Sequence, residues 1–275
     1  MKCSYEDKDV SSAAKLLDPS GEGVAGALVL GSGLSSALSD LPTIRELSFS
    51  ELPGLGASKV PGHAGRVRIA GYEGHPLLLF EGRPHFYEDG DMRRAGYPAR
   101  LASAMNAPFI VLCSAVGGVT NEAATGSWVF VDDHINLMGK NPLLGVSTDG
   151  GPPFVDLAGT YRKELFEELC SRVSGLNLLR GVLAAFSGPT YETPAEVKMS
   201  ALAGASIVGM SIVPEAVWAT FLGVDVVAFG RVVNPAAGLS ESRLNHEDVV
   251  REGAMAATEA VALIGATLDS LLNKM

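Results

Sequence analysis

Short apolar runs rich in β-branched residues alternate with longer segments of helical spacing, and this alternation constrains the fold more than any other feature of the sequence. Runs that are apolar throughout are typical of strands buried on both faces of a sheet. We predict strands at residues 27–30, 109–113, 182–186, 207–210 and 224–229. We predict helices at residues 92–105, 160–173, 194–203, 214–222 and 246–272. The order of these elements predicts an α/β fold in which helices connect the strands of one sheet.

A predicted hairpin adds an antiparallel pair to that sheet. Residues 67–70 and 76–81 flank Gly71-Tyr72-Glu73-Gly74, a pattern typical of two strands joined by a glycine-containing turn. The predicted sheet is therefore mixed. Because no linker, repeat or low-complexity tract divides the sequence, we predict a single domain over residues 1–275, with residues 1–22 as a peripheral N-terminal segment.

The charge and the cysteines limit the partners and the compartment. The formal net charge at pH 7 is -10 and no run of Lys or Arg opposes it, so we expect no binding to nucleic acid or to membranes. Cys3, Cys113 and Cys170 are odd in number and widely spaced, which predicts neither a disulfide framework nor a zinc site. The N-terminus is acidic and polar, and no apolar run approaches ~18 residues. We therefore expect a cytoplasmic protein.

A glycine-rich turn follows the first predicted strand. In Gly31-Ser32-Gly33 the backbone N–H groups and a hydroxyl could hold a phosphate. The same turn could begin a dinucleotide-binding fingerprint, but Ser36 stands where the third glycine would be. A tight strand-to-helix turn without a ligand is an equal alternative.

Two further segments carry polar groups or small residues at the ends of predicted strands. Arg83, His85 and Tyr87 are spaced to lie on one side of an extended segment, where they would suit an oxyanion next to a sugar. A solvated edge strand is the alternative. The segment 114–118, Ser-Ala-Val-Gly-Gly, lets a ligand approach the backbone closely, although Gly-Gly also marks ordinary turns.

Together these segments resemble the family of trimeric purine nucleoside phosphorylases and methylthioadenosine phosphorylases, over about residues 26–266. The resemblance rests on a series of ordered motifs: LVLGSGL (28–34), VPGHAGRV (60–67), EGRPHFYE (81–88), AVGG (115–118), DDHINLMGKNPLLG (132–145), SGPTYETPAEVKM (187–199), GASIVGMSIVPE (204–215) and LNHEDVV (244–250). It implies a phosphorylase/hydrolase-like α/β domain with a mixed, partly barrel-like sheet, usually assembled as a homotrimer. It also implies phosphate as a co-substrate and no cofactor or metal.

The resemblance implies three groups of site residues. The phosphate would be bound by Ser32, His63, Arg83, His85, the N–H of Ala115 and Ser211. The ribose would contact Tyr87, Met210 and His246. The purine would contact Tyr191, Glu192, Val208 and Asn234, with Phe154 reaching in from a neighbouring subunit. Catalysis would depend on Asn234, Glu192, His85 and His246.

Several of these residues have simpler explanations. Met210 and Val208 lie in an apolar run and could be ordinary core residues, and His63 could cap a turn. Glu192 and Asn234 are harder to explain as structural, because a buried acid or amide without a polar partner is costly.

The polarity of the base contacts predicts the substrate. Hypoxanthine and guanine carry a proton on N1 that an ionised Glu192 can accept, whereas adenine presents a lone pair there. The amide of Asn234 can serve both N7 and O6, which favours inosine and guanosine. Val233, Arg231, Pro84 and Ser35 depart from commoner family residues; Val233 stands where a hydroxyl-bearing residue usually orients the asparagine.

Three other functions remain open on the sequence alone. A methylthioadenosine or adenosine phosphorylase of the same family is the first, and Asn234 argues against it. A nicotinamide-dependent oxidoreductase built on residues 31–36 is the second, and the missing glycine argues against it. A nucleoside-binding protein without catalysis is the third, and the presence of Asn234, Glu192 and His246 argues against it.

Overall fold

One mixed sheet organises the chain. The computed structural model describes residues 5, 7–34, 37–57, 65–240 and 246–274, without the side chains of 246–249. In these ranges the strands are β1 (Gly26–Leu30), β2 (Thr43–Ser48), β3 (Arg66–Tyr72), β4 (His75–Glu81), β5 (Phe109–Gly118), β6 (Trp128–Leu137), β7 (Leu178–Phe186), β8 (Ile207–Gly209) and β9 (Asp225–Pro235). The helices are α1 (Lys8–Leu17), α2 (Met92–Ala95), α3 (Tyr97–Ala104), α4 (Phe166–Arg172), α5 (Pro194–Leu202), α6 (Val213–Leu222), α7 (His246–Met255) and α8 (Ala257–Leu272).

The sheet closes on itself at one end. Its strand order is β2-β3-β4-β1-β5-β8-β7-β6-β9, and β9 pairs again with β5. Strands β5, β8, β7, β6 and β9 therefore form a ring, and β2, β3, β4 and β1 extend from it as an open sheet. The predicted single α/β domain with a mixed, partly barrel-like sheet is confirmed.

The apolar runs became strands because both faces of the sheet are covered. Ala27 and Val29 of β1 belong to the core that includes residues of α1, α3 and α6. Leu28 and Leu30 belong to the core on the opposite face, which includes residues of α4 and α8. A strand buried on both sides needs apolar residues at every position, which is the pattern the sequence shows.

The predicted hairpin is confirmed. Strands β3 and β4 pair antiparallel, and their turn is Glu73-Gly74, both with positive φ. Two-residue turns of this form match the twist of the flanking strands.

Three predicted helices are wrong in part. The predicted helix at 92–105 is two helices that meet at Gly96, because Gly96 and Pro98 are both unfavourable in a helix interior. Gly96 packs against Trp218, and an added Cβ would lie 2.0 Å from its ring. The helix predicted from residue 160 begins only at Phe166, because Tyr161 instead bridges to Val226 of β9. The one predicted at 246–272 is interrupted at Ala256.

Two strands and one helix were missed. Strand β2 is a largely exposed edge strand, and the second half of β6 carries the polar sequence DDHIN, so neither shows a continuous apolar run. Helix α1 lies on α3 at the outside of the domain, with Val10, Ala13 and Leu17 buried. No helix among the described residues is long and apolar enough to cross a bilayer.

A buried carboxylate ties the open part of the sheet together. Glu81 at the end of β4 is 1% exposed and accepts hydrogen bonds from Arg66 and Arg68, both on the neighbouring β3. Arg68 is equally buried and also donates to the carbonyl of Leu41 (2.8 Å) and the hydroxyl of Thr43 (2.9 Å). The side chain of Arg66 is 39% exposed.

The two arginines should differ sharply in their contribution to stability. Arg68→Ala leaves the Glu81 carboxylate buried beside a cavity, and we expect the free energy of unfolding to fall by about 3–5 kcal/mol. The matched variant Arg66→Ala removes a solvent-screened partner, and we expect a loss of about 1 kcal/mol or less. Urea denaturation of both variants measures the difference; equal losses would contradict this assignment.

Candidate active site

A cavity lies where several strands end. Strands β1, β4, β5 and β9 run parallel through their pairings with one another, so their carboxyl ends meet at one edge of the sheet. Ligands of α/β proteins commonly bind at such an edge. The cavity gathers most of the residues predicted for the site: Ser32, His85, Tyr87, Ala115, Tyr191, Glu192, Val208, Met210, Ser211 and Asn234 all line it.

One side of the cavity is rich in hydrogen-bond donors. Ser32 lies in the turn after β1, Ala115 in β5, and Ser211 between β8 and α6. The turn is held close to β5, because the N–H of Gly31 donates to the carbonyl of Cys113 at 3.0 Å. A Cβ at position 31 would lie 2.9 Å from that carbonyl oxygen, so the close approach requires glycine.

Ser114 joins this side, although the sequence analysis assigned it no role of its own. Its hydroxyl lies 2.7 Å from that of Ser211, and both residues are buried. The sequence signal that could have identified Ser114 was its position directly before Ala115, in the segment 114–118 that is notable for its small residues.

His85 and Tyr87 form the aromatic part of the wall. Their rings stack with centroids 4.7 Å apart, and the backbone N–H of His85 donates to the carboxylate of Glu88 at 2.6 Å. Residues Phe86–Glu88 form a short 3₁₀ helix, so the segment is neither extended nor an edge strand. Burial raises the pKa of the Tyr87 phenol well above its usual range, and the nearby charge of Arg83 lowers it. The phenol therefore keeps its proton at neutral pH.

Arg83 lies behind the cavity wall, and this corrects the expectation that it projects with His85 and Tyr87. The residue is fully buried and does not line the cavity. Its guanidinium donates to the carbonyls of Val29 (3.1 Å) and Cys113 (2.7 Å), and its Nε lies 3.3 Å from the carboxylate of Glu215. A buried guanidinium needs such partners, because transferring it from water is costly.

Glu192 and Asn234 also line the cavity. Glu192 is buried, and desolvation raises the pKa of its carboxyl group. Asn234 is half-buried, and its Nδ2 donates to the carbonyl of Pro235 at 2.7 Å, which fixes the orientation of the amide. A carboxylate that can accept hydrogen bonds and an amide that can donate them thus line the same cavity.

Sheet register explains how consecutive residues reach one cavity. Gly117 of β5 pairs with Val208 of β8 and with Asn234 of β9. The β5–β9 ladder shifts register at this point, leaving Val233 as an extra residue on β9. Such a bulge reorients side chains, so that Val233 and Asn234 both line the cavity.

Arg231, which departs from the commoner family residue at its position, does not line the cavity. Its guanidinium lies over the ring of Trp128 at 5.5 Å and hydrogen-bonds to Glu259 of α8. It stabilises the attachment of α8 to the sheet, and only Val233 of the two departures in β9 contacts the site.

Two predicted site groups, His63 and the side chain of His246, lie outside the described residues, although α7 begins at His246. Phe154 is 96% exposed in the loop between β6 and α4 and does not line the cavity of its own chain. Within the described ranges, no group of three or more His, Cys, Asp or Glu side chains could hold a metal ion.

Comparison with known proteins identifies the family to which this architecture belongs. The model of the phosphorylase superfamily matches residues 27–269. The purine nucleoside phosphorylase of Mycobacterium leprae is 39% identical over 239 residues, 86% of each chain. Purine nucleoside phosphorylase 1 of Bacillus subtilis is 35% identical over 81% of this chain and 83% of its own.

Solved structures show the same fold. Isoform 2 of the Schistosoma mansoni purine nucleoside phosphorylase, in complex with cytosine and ribose-1-phosphate, superposes with a TM-score of 0.84 at 25% identity, over 98% of this chain and 96% of that one. A second Schistosoma mansoni enzyme, in complex with adenosine, gives a TM-score of 0.82 at 26% identity, over 94% and 95%. The chain therefore belongs to the phosphorylase superfamily and, within it, to the purine nucleoside phosphorylases.

Proposed function

We propose that the cavity catalyses the reversible phosphorolysis of 6-oxopurine nucleosides, inosine and guanosine above all, to the free base and ribose 1-phosphate. One observation carries the proposal. Hydroxyl and N–H donors, a buried acid and an oriented amide all line a single cavity. The donors suit a phosphate, and the acid and amide suit a purine.

The two ends of the glycosidic bond need opposite electrostatic help. As the bond lengthens, positive charge develops on the ribose and negative charge on the departing purine. A phosphate held beneath the ribose by Ser32, Ala115 and Ser211 supplies both the nucleophile and a counter-charge. Its oxygen forms the new bond to C1′ as the electron pair of the old bond moves to the purine, so no cofactor takes part.

Asn234 stabilises the departing base. An amide nitrogen carries two protons, and with one donated to Pro235 the other can reach N7 of the purine, where electron density accumulates. The carbonyl of Pro235 orients the amide, which a hydroxyl at position 233 would otherwise do. The departure at Val233 is thus compatible with the proposed role.

Glu192 selects the base. Its buried carboxylate has a raised pKa because it lacks the hydration that stabilises its charge. A base with a proton on N1 supplies the missing donor, whereas adenine presents a lone pair and leaves the group unsatisfied. A mismatch of this kind can lower the discriminated rate by about 10⁴-fold.

Tyr87 and Met210 fit the ribose between these two ends. Both pack around Gly188, where an added Cβ would lie 2.6 Å from the sulfur of Met210 and 2.8 Å from the ring of Tyr87. They form an apolar surface on which the sugar can lie, above the donors of the phosphate side. We propose that His246 binds the 5′-hydroxyl and that His63 completes the phosphate site.

We further propose a cytoplasmic homotrimer in which Phe154 enters the site of a neighbouring subunit. The ring of Phe154 is 96% exposed and does not line the cavity of its own chain, so it is available to a neighbouring subunit. Cys113 and Cys170 are free thiols, in keeping with a reducing compartment.

The main alternative is a methylthioadenosine or adenosine phosphorylase. Schistosoma mansoni structures include complexes with adenosine and with hypoxanthine, so the fold alone does not choose between 6-amino and 6-oxo bases. The amide at position 234 favours the 6-oxo bases, since an aspartate would better accept from a 6-amino group.

Phosphate-dependent release of base tests the function directly. We expect inosine and guanosine to be cleaved rapidly when phosphate is present, and adenosine and methylthioadenosine to be cleaved far more slowly. Chromatography of the bases released from the four nucleosides, with and without phosphate, provides the measurement. Preferred cleavage of methylthioadenosine would establish the alternative, and release of no base from any nucleoside would contradict both.

Asn234 variants test the leaving-group role. Asn234→Ala should lower kcat with inosine by about 10²–10³-fold, because a donor to the developing negative charge is lost. Binding of phosphate to the free enzyme should change little; equal losses in turnover and phosphate affinity would mean that the residue has another role. Asn234→Asp should increase activity on adenosine relative to inosine, and if it does not, another group sets the choice.

Phe154→Ala tests the shared site. We expect the KM for inosine to rise about tenfold, because the purine loses an apolar contact, while the trimer remains intact in analytical ultracentrifugation. Leu144→Ala, at another exposed position of the same loop, serves as the matched control and should leave the KM unchanged. A monomeric enzyme with full activity would contradict the proposal.

A further inference from the structure

The residue after Ser211 has an unusual backbone conformation. Ile212 has φ 73° and ψ -54°, and the N–H of Val213 donates to the carbonyl of Ser211 at 2.9 Å. These values describe the rarer form of the γ-turn, which is strained for any residue with a side chain and most of all for a β-branched one. Strain of this kind persists only where surrounding contacts impose it.

Glu215 lies in the helix that follows this turn, at the third position of α6. Its carboxylate lies 3.3 Å from Nε of Arg83. The side chains of Glu215 and Arg83 are 2% and 0% exposed, so the pair is shielded from solvent.

The same pair reaches the other donor strands. Arg83 donates to the carbonyls of Val29 and Cys113, near the ends of β1 and β5. Ser114 follows Cys113 directly, and its hydroxyl contacts that of Ser211 at 2.7 Å. A continuous set of contacts thus links Glu215 through Arg83 to the ends of β1 and β5, and from there through Ser114 to Ser211 in the turn before α6.

We propose that Glu215 is a positioning residue for the phosphate side of the site. It does not line the cavity. It acts through Arg83, holding the ends of β1 and β5 so that Ser114 stays against Ser211 and both keep their position relative to the turn that carries Ser32. The inference rests on the proposed function, because it takes the hydroxyl and N–H donors of the cavity to be the phosphate site.

Glu215→Gln tests the proposal. Glutamine keeps the size of the side chain and its amide oxygen can still accept from Arg83, but it cannot balance the charge of Arg83. We expect the KM for phosphate to rise about ten- to a hundredfold, since small displacements of positioning groups have effects of this size, with the KM for inosine nearly unchanged. Glu215→Asp keeps the charge with a shorter reach, and we expect an intermediate KM for phosphate.

Glu196→Gln is the matched control. Glu196 holds the same third position in α5, where it accepts from the N–H of Thr193 at 2.7 Å, but it is exposed and distant from Arg83. Loss of this capping carboxylate should leave the KM for phosphate unchanged. If both glutamate variants raise that KM equally, or if Glu215→Gln alters inosine and phosphate KM alike, the proposal is overturned.

Calorimetric titration with inorganic phosphate separates this inference from the proposed function. We expect wild-type protein to bind phosphate and Glu215→Gln to bind it more weakly in the same proportion as its KM rises. Equal binding by both overturns the positioning role while leaving the function intact. Absence of base release by the wild-type enzyme would overturn the function itself. Should Glu215→Gln fail to fold by circular dichroism, Glu215→Asp decides: an unchanged KM for phosphate contradicts the proposal.

Discussion

The pairing of β5 with three other strands is the constraint on which the site depends. Its first half pairs with β1, its last two residues pair with β8, and its whole length pairs with β9. The pairing with β1 brings the Ser32 turn to Ser114 and Ala115, and the pairings with β8 and β9 bring Val208 and Asn234 together. The hydroxyl and N–H donors and the proposed base contacts therefore lie on one hydrogen-bonded frame, and their separation is set by the backbone.

Such a frame suits a reaction with two developing charges of opposite sign. The donors must stay at a fixed distance from the amide while the bond between sugar and base lengthens. Sites supported by strands keep that distance better than sites built on long mobile loops, because backbone pairing anchors the strand ends next to each donor. The bulge at Val233 is the one irregularity in this part of the frame, and it turns two consecutive residues of β9 toward the cavity.

The sequence predicted the parts of this arrangement that follow from local pattern. The apolar runs at 27–30 and 109–113 predicted strands buried on both faces, and Gly71-Tyr72-Glu73-Gly74 predicted a hairpin turn. What it could not show depends on long-range contact. Strand β6 was hidden by its polar second half, and the packing of Gly96 against Trp218, more than a hundred residues away, cannot be inferred from local sequence. Local pattern indicated the segments at 31–33, 83–87 and 114–118 without being specific, and the other cavity residues were predicted only through the resemblance of ordered motifs.

The Arg83 segment shows the same limit at the level of one side chain. Spacing along an extended segment placed Arg83 with His85 and Tyr87, but that reasoning assumes a regular strand, and Phe86–Glu88 form a 3₁₀ helix. The guanidinium turns instead toward Glu215, a partner 132 positions away, which local spacing cannot reveal. A charge buried in this way needs a counter-charge, and the counter-charge must come from wherever the fold supplies one.

That arrangement also has a consequence for turnover. In a protein of net charge -10 a phosphate must be attracted locally, yet a bare guanidinium in contact with it in a dry cavity would hold phosphate and ribose 1-phosphate tightly and slow their release. Here the cavity surface offers hydroxyl and N–H donors, and the positive charge stands behind them, balanced by Glu215. Uniformly tight binding lowers KM without raising kcat, whereas oriented neutral donors can favour the transition state over both bound states. The proposed enzyme must bind phosphate in one direction and release it in the other. An ion pair that does not line the cavity is consistent with both requirements, because neutral donors then make the direct contacts.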